Sequence, residues 1–412
     1  MNSRQRILSA INHTEPDRIP VDLGATPSSG ISAIAYDNLL KYLPLKDKRN
    51  WVYDVVQQVT QPSDEMLDYF RIDVIDLGRT FNTRDSDWID YTLPNGGTAR
   101  QPAWFQPHQQ DDGSFLAYKG GEAIATMPAT AISYDQIVYP FLDGYPSHYD
   151  SNLDDAMGRI HWAALVHSPW DHAGETDFWE QLRTHALDLR VNSPRAIVLS
   201  AGCNLFEWGT FLRRMDHFLV DLMRKPSEVE RFLDALMERH LASLEKICEA
   251  VGDVVDIIRL GDDLGMNGGP LMSPDTYRKL FKPRHTLLCG YIKSHSNMHT
   301  FLHSCGSIYK LIPDLIEAGF EILNPAQTNA RDMQPEKLKQ EFGSQVTFWG
   351  AGVDTRSILN MGTPQQVKED VRHNIEILAP GGGFVFNSIH NILPDVPPEN
   401  IAAMFAALDE YR

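Results

Sequence analysis

The chain has 412 residues, of which 42% are hydrophobic, so it can bury a substantial core in one large domain or two ordinary ones. Its 37 basic and 55 acidic residues give a net charge of −18, which argues against nucleic acid and anionic membranes as partners because both require a basic surface. The first residues lack the apolar stretch of a secretory signal, and no apolar run approaches the roughly 18 residues of a membrane span. The four cysteines are irregularly spaced, so we expect a cytoplasmic protein without a disulfide framework.

Short apolar runs alternate with amphipathic stretches along most of the chain. In chain order, the predicted strands are 18–25, 72–79, 195–202, 254–261, 298–306, 320–328, 345–352 and 383–390. Helical patterns between and after them include 227–252, 309–319, 335–342 and 364–378. Eight strands alternating with helices predict an α/β protein with a (β/α)8 TIM-barrel fold. The alternative is an open doubly wound sheet, but no G-x-G-x-x-G motif follows the first predicted strand.

The region from about 80 to 190 interrupts this alternation. The turn signals PNGG, DDG and KGG separate short alternating runs between about 80 and 140, which predicts an antiparallel β insertion after the second strand. Residues 141–190, rich in Trp and His, lead back to the barrel. We therefore predict a single domain over residues 1–412, with an inserted β and helical cap near the barrel mouth.

Active sites of parallel barrels form at the carboxyl ends of the strands, so polar residues there are candidate site residues. Each of them also has a structural explanation, such as a helix cap or a buried histidine with one hydrogen-bond partner. The candidates are Asp22, Asp76, Cys203, Glu207, Asp262, Asp263, His303, Cys305, Gln327, Asp354, His390 and Asn391.

The stretch FLHSCG (301–306) contains a histidine and a cysteine two residues apart. Residues i and i+2 of a strand point to the same face, so His303 and Cys305 are predicted to converge, and nitrogen with sulfur is a donor pair that zinc prefers. His390 is the first candidate for a third ligand, with Cys203, Glu207 or an aspartate at 262 or 263 as alternatives. The same groups could also bind an organic acid without a metal.

Three segments resemble the uroporphyrinogen decarboxylase superfamily: GDDLGMNGGPLMSPDTYRKLFKPRH (261–285), FLHSCGSIYKLIPDLIEAGFEILNP (301–325) and GGGFVFNSIHNILPDVPPENI (381–401). The resemblance begins at RQRILSAINHTEPDRIPVDLG and is weakest over roughly 80–190. It implies a (β/α)8 barrel. It also implies a choice between porphyrinogen decarboxylases and zinc-dependent methyltransferases that act on coenzyme M and corrinoid proteins.

Two features favour the methyltransferase branch. Porphyrinogen decarboxylases carry an arginine-rich segment after the first strand, whereas DLGATPSSGISAIAYDNLL (22–40) has no arginine to pair with several carboxylates. The H-x-C zinc pair of the methyltransferases matches His303 and Cys305. Their further cysteine near the last strand is replaced here by IHNI, with His390 as the nearest positional match.

The leading hypothesis is a zinc-dependent methyltransferase that moves a methyl group between a small molecule (an ether, amine or thiol) and a corrinoid protein. The metal ligands would be His303, Cys305 and His390, and we expect a small neutral methyl donor. The candidate catalytic acids are Asp262, Asp263 and Asp76, and the candidate substrate-binding residues are Asp22, Glu207, Gln327 and Asn391. The alternatives are a metal-independent decarboxylase or lyase of a small carboxylate, and a protein that binds a tetrapyrrole or corrinoid. The methyl donor and the oligomeric state stay open.

Overall fold

In the part of the chain that the structure describes, the strands form four sheets, of which the largest is parallel. A computed structural model describes residues 1–160 and 167–411. Within these residues the strands are β1 (Ile31–Ser32), β2 (Trp51–Asp54), β3 (Val59–Gln61), β4 (Val74–Asp76), β5 (Trp88–Thr92), β6 (Thr98–Pro102), β7 (His108–Gln109), β8 (Phe115–Lys119), β9 (Glu122–Met127), β10 (Asp135–Gln136), β11 (Ala196–Gly202), β12 (Ile257–Gly261), β13 (Gly265–Met266), β14 (Gly269–Pro270), β15 (His299–His303), β16 (Ile322–Asn324), β17 (Thr347–Trp349) and β18 (Phe384–Val385).

The α-helices cover the outside of the parallel sheet with their apolar faces. The long helix over 226–251 starts with proline at its first turn and buries residues three or four positions apart along one side. The helices are α1 (Ser3–Ile11), α2 (Ala33–Tyr42), α3 (Asp64–Tyr69), α4 (Asp150–Arg159), α5 (Phe178–Asn192), α6 (Phe206–Arg213), α7 (Met215–Arg224), α8 (Pro226–Val251), α9 (Pro274–Leu280), α10 (Lys282–His295), α11 (Ile312–Ala318), α12 (Pro335–Phe342), α13 (Pro364–Leu378) and α14 (Pro398–Asp409). No helix of the described ranges is long and apolar enough to cross a membrane.

The parallel sheet has the strand order β18-β17-β16-β15-β12-β11-β4. Seven of the eight predicted strands are therefore confirmed, and the α/β alternation predicted between them is confirmed with them. Every residue of β11 and β12 is buried, as expected for parallel strands with side chains packed on both faces.

The first predicted strand, 18–25, does not form a strand of its own. Its middle residue, Val21, forms an isolated parallel bridge with Phe386, next to β18. On its other side, the Val21 carbonyl oxygen accepts a hydrogen bond from the backbone amide of Asp73, next to β4, at 2.8 Å. One segment therefore contacts both edges of the seven-stranded sheet, so the sheet is curled into a TIM-barrel-like ring.

Antiparallel strands lie where the turn signals between 80 and 140 indicated. β5 pairs with β6 and β8 pairs with β9. However, β5 and β6 do not stand apart from the preceding chain, since they complete a five-stranded sheet of order β1-β3-β2-β6-β5. The chain returns to the barrel through α4 and α5, and residues 161–166 of the predicted cap lie outside the described residues.

Candidate active site

A cavity of about 350 Å³ lies at the carboxyl ends of the parallel strands, where active sites of parallel barrels form. Its polar lining includes residues that follow β11, β12 and β18, residues within β12 and at the end of β15, and residues of the antiparallel part. The titratable side chains of this lining belong to Asp54, His167, Glu207, Arg259, Asp263, His303 and His390.

Three of the predicted metal ligands lie together at this end of the barrel. Ligand atoms of His303, Cys305 and His390 all lie within 4.8 Å of one another. The sulfur of Cys305 is 3.4 Å from Nε2 of His303. Two ligands of a tetrahedral zinc ion, bound at about 2.3 Å through sulfur and about 2.0 Å through nitrogen, are roughly 3.5 Å apart. One thiol and two imidazoles at this spacing fit a zinc site with a further position for a substrate.

The convergence arises differently from the predicted strand alternation. β15 ends at His303, so Cys305 belongs to the loop that follows. The next residue, Gly306, has a φ of +83°, and a Cβ atom there would lie 2.4 Å from the backbone of Gly265. Only glycine fits such a close, left-handed turn.

Side-chain oxygens hold the loop in this shape. The backbone amide of Cys305 donates to Oδ1 of Asp263 at 2.8 Å. The backbone amide of Gly306 donates to Oε1 of Gln327 at 2.7 Å. The predicted substrate-binding residue Gln327 is thus engaged in the loop.

Asparagine side chains orient both histidines. Nδ1 of His303 lies 2.7 Å from Oδ1 of Asn324, and Nδ1 of His390 lies 2.7 Å from Oδ1 of Asn391. An amide oxygen only accepts, so each Nδ1 carries the proton and each Nε2 keeps a lone pair for a metal. Burial lowers the pKa of both histidines, that of His303 to about 3. Both rings are therefore neutral, as metal ligands must be.

The neighbouring aspartates 262 and 263 have different environments. Asp262 is fully buried and does not line the cavity. Its Oδ1 accepts hydrogen bonds from the backbone amides of Leu205 and Glu207, both at 3.0 Å, and its Oδ2 lies 3.2 Å from Nε2 of His285. Asp263 lines the cavity and lies 3.7 Å from Nε2 of His303.

Glu207, at the start of α6, is a cavity-lining residue whose carboxyl group has a strongly raised pKa. Burial and the nearby charges of Asp263 and Asp262 raise its pKa to about 8. Its carboxylate accepts a hydrogen bond from the side-chain amide of Asn204. At neutral pH, Glu207 is therefore mainly protonated and can give a proton to a bound molecule.

The remaining candidates do not line the cavity. Asp22 accepts hydrogen bonds from Nε1 of Trp349 at 2.8 Å and from the Ala25 amide at 3.0 Å. Burial raises the pKa of Asp22 and of Asp76 to about 6. Cys203 is buried, with its sulfur 3.8 Å from the Ala201 carbonyl oxygen, and lies outside the three-ligand cluster.

Arg259 and Asn324 are among the residues of this site that were not predicted. Arg259 is a charged residue in the middle of the apolar run VVDIIRLG, and this interruption was the available signal. Asn324 is the last residue of β16, the strand next to β15 in the parallel sheet. Its contact with His303 depends on the register between strands, which a single sequence does not reveal.

Comparisons with known proteins agree with this fold. Residues 207–411 match the family model described as uroporphyrinogen decarboxylase (URO-D). A methylcobamide:CoM methyltransferase, MtaA, from Methanosarcina barkeri is 28% identical over 193 residues, 46% of this chain and 51% of that protein. The chain thus matches about half the length of this curated relative.

Two further relatives bear on the fold and the family. A uroporphyrinogen decarboxylase from Pseudoalteromonas translucida is 40% identical, but over 73 residues, 18% of this chain and 20% of that protein. A solved structure, a methyltransferase from Methanosarcina mazei, covers 100% of this chain and 99% of its own with a TM-score of 0.59 and 17% identity; at this identity it supports the fold alone. The resemblance predicted from the sequence is confirmed, and the chain belongs to the uroporphyrinogen decarboxylase superfamily.

Proposed function

We propose that the protein is a zinc-dependent methyltransferase that moves a methyl group between a small molecule and a corrinoid protein. The observation that carries this proposal is the cluster of His303, Cys305 and His390 at the barrel mouth, with ligand atoms within 4.8 Å of one another. The similarity of 46% of the chain to a methylcobamide:CoM methyltransferase supports the same reaction class.

These three residues would hold the zinc ion through Nε2 of each histidine and the cysteine sulfur. A bound zinc ion would supply Lewis acidity towards an ether, amine or thiol heteroatom at its open position. Asn324 and Asn391 keep both imidazoles in the metal-binding tautomer.

Among the acidic residues, we assign the role of proton donor to the leaving group to Glu207. Its carboxyl group lines the cavity and is protonated at neutral pH, so it can protonate a leaving oxygen, nitrogen or sulfur when the methyl group departs. Asp263 holds the Cys305 loop through the backbone amide of Cys305. Asp262, another of the three acids that the sequence suggested, supports the start of α6 and does not line the cavity.

We further propose that the chain works as one domain whose region of about 80–190 covers the mouth. Ser133 and His167 from this region, with Asp54 from the preceding sheet, line the cavity. Such a cover would exclude water from the reacting groups.

Decarboxylation of uroporphyrinogen is not part of this proposal. Residues 22–40 contain no arginine, and Arg259 is the one arginine among the residues that line the cavity in the described part of the chain. A single guanidinium pairs with one carboxylate, so the several carboxylates of a porphyrinogen would enter the cavity largely unpaired.

The first test is the metal content of the purified protein. We expect about one zinc ion per chain, and the variants H303A, C305A and H390A should each lose it while remaining folded. Two matched controls should keep it: C203S, which removes a buried cysteine outside the cluster, and H373A, which removes an exposed histidine. Wild-type protein that binds no zinc even after incubation with the metal would refute the site.

The second test is the reaction. The zinc-loaded protein is offered methyl ethers, amines and thioethers with reduced cobalamin, and formation of methylcobalamin is followed by its absorbance. The same preparation is offered uroporphyrinogen, with coproporphyrinogen as the product. Coproporphyrinogen without methyl transfer from any donor would overturn the proposal in favour of a decarboxylase.

A further inference from the structure

A buried arginine lines the cavity with no hydrogen-bond or ion-pair partner among the residues that the structure describes. Arg259 lies in the middle of β12, in register with Ser200 on β11 and Phe301 on β15. It is 7% exposed and lines the same cavity as His303 and His390. Its guanidinium makes no hydrogen bond with any residue in 1–160 or 167–411, and its Nε is buried with no acceptor.

The nearest acidic side chains do not neutralise this guanidinium by contact. Within the described ranges, no carboxylate oxygen lies within 4.0 Å of Arg259. Asp263 is engaged with the backbone amide of Cys305, and Glu207 with Asn204. A guanidinium stays charged in proteins, and a buried charge without a partner is costly. The fold therefore maintains an unpaired cation facing the cavity.

The wall around Arg259 contains further hydrogen-bonding groups without partners. The Ser200 hydroxyl, on the neighbouring strand and in register with Arg259, is buried and has no partner in the part of the chain that the structure describes. The Tyr53 hydroxyl is likewise buried and has no hydrogen-bond partner among the described residues. Arg259 is near enough to influence the pKa of Tyr53. Hydroxyl groups and a guanidinium can all donate to the same oxygen anion.

We propose that Arg259 binds a carboxylate of the substrate, so that the methyl donor or acceptor is a small carboxylic acid with an ether, amine or thiol group. The inference rests on the proposed function and narrows its substrate class. The two oxygens of a carboxylate match the guanidinium fork. The acids Asp54 and Asp263, which also line the cavity, disfavour a doubly charged ligand such as phosphate. This replaces the neutral donor expected from the sequence.

The arrangement places the two ends of the substrate. Arg259 stands two residues before Gly261, which is in register with His303. A substrate whose carboxylate pairs with Arg259 can therefore reach the ligand cluster with a heteroatom on the same molecule. Two fixed ends orient the methyl group for transfer.

The test measures binding, so it needs neither a corrinoid nor turnover. Calorimetric titration of the zinc-loaded protein compares three acids with their uncharged amides: methoxyacetate, methylthioacetate and meta-methoxybenzoate. At least one acid should bind about tenfold or more tightly than its amide, since an ion pair replaces a neutral contact. If no acid binds better than its amide, the proposal is wrong, and this result requires no variant.

Variants then locate the site. R259Q should abolish the preference for the acid, R259K should keep part of it because the charge remains without the fork, and R331Q, at an exposed arginine, should leave it unchanged. An undiminished preference in R259Q would also overturn the proposal. Acid binding without methyl transfer would refute the methyltransferase instead, whereas methyl transfer from neutral donors that is unchanged in R259Q would refute the carboxylate site alone.

Discussion

Replacing Asp262 separates a structural role from a catalytic one. Its carboxylate is fully buried and accepts hydrogen bonds from the backbone amides of Leu205 and Glu207 and from His285. These contacts attach the start of α6 to the end of β12. From the sequence, Asp262 was a candidate proton donor to the substrate. In the structure, its carboxylate instead accepts hydrogen bonds from three groups of the protein itself.

The size of the effect follows from these three donors. In D262A, two buried amides and an imidazole lose their acceptor, at about 1–3 kcal/mol for each unsatisfied group. The substitution also removes the cost of burying the carboxylate, so we expect a net loss of about 3–5 kcal/mol in the free energy of unfolding. D262N keeps one acceptor oxygen for the two amides and should lose roughly half as much.

Urea unfolding followed by circular dichroism gives the stability difference, and zinc content and methyl transfer are measured on the same preparations. The matched control is D263A, which changes the adjacent, partly exposed aspartate that holds one backbone amide; it should cost about 1 kcal/mol. D262N should keep its zinc and its turnover. Wild-type stability in D262A, or a large loss of turnover in D262N at unchanged stability, would refute this reasoning.

Two further predictions concern buried acids. E207Q should lower turnover by a factor of roughly 10²–10⁴ while zinc is retained. Wild-type turnover should fall as the pH rises through about 8, where Glu207 loses its proton. If the same fall with pH is seen in E207Q, Glu207 is not the proton donor. D76N should raise the free energy of unfolding at pH 7.5 by up to roughly 3 kcal/mol, because burial raises the pKa of Asp76 from 3.8 to about 6. The folded protein binds this proton more tightly than the unfolded chain, so the penalty grows as pH rises from about 4 through about 6. Urea unfolding should therefore find no gain from D76N below pH 4, and an equal gain at both pH values would contradict the cause.

The barrel strands could be predicted from the sequence because buried parallel strands are continuous apolar runs. The segment 18–25 has the same apolar character but pairs only at Val21. Pro20 has no backbone N–H to donate to a neighbouring strand, and the side chain of Asp22 accepts from the Ala25 amide in a local turn. Whether such a segment pairs as a full strand depends on single hydrogen bonds. The pattern of hydrophobic residues in a sequence does not reveal these bonds.

Part of the site could also be predicted, since His303 and Cys305 are close in sequence and His390 follows another strand of the same barrel. The asparagines that fix their tautomers, and the isolated state of Arg259, depend on contacts between distant strands. The roles of Asp262 and Asp263 could not be separated either. Adjacent residues project in different directions, and only the position of the chain around them decides which one reaches the cavity.

The bridge between Val21 and Phe386 also has a consequence for how the protein is made. During synthesis, the segment around Val21 leaves the ribosome long before its partner, so the ring of strands cannot close until nearly the whole printed sequence has been translated. Until then, the side of the Val21 segment that pairs with Phe386 and the last strand of the growing sheet stay unpaired and open to association with other chains. His390 lies shortly after the end of β18, so the cluster of His303, Cys305 and His390 is completed at the same late stage. Uptake of the proposed zinc ion would therefore mark ring closure in a refolding or ribosome-release experiment.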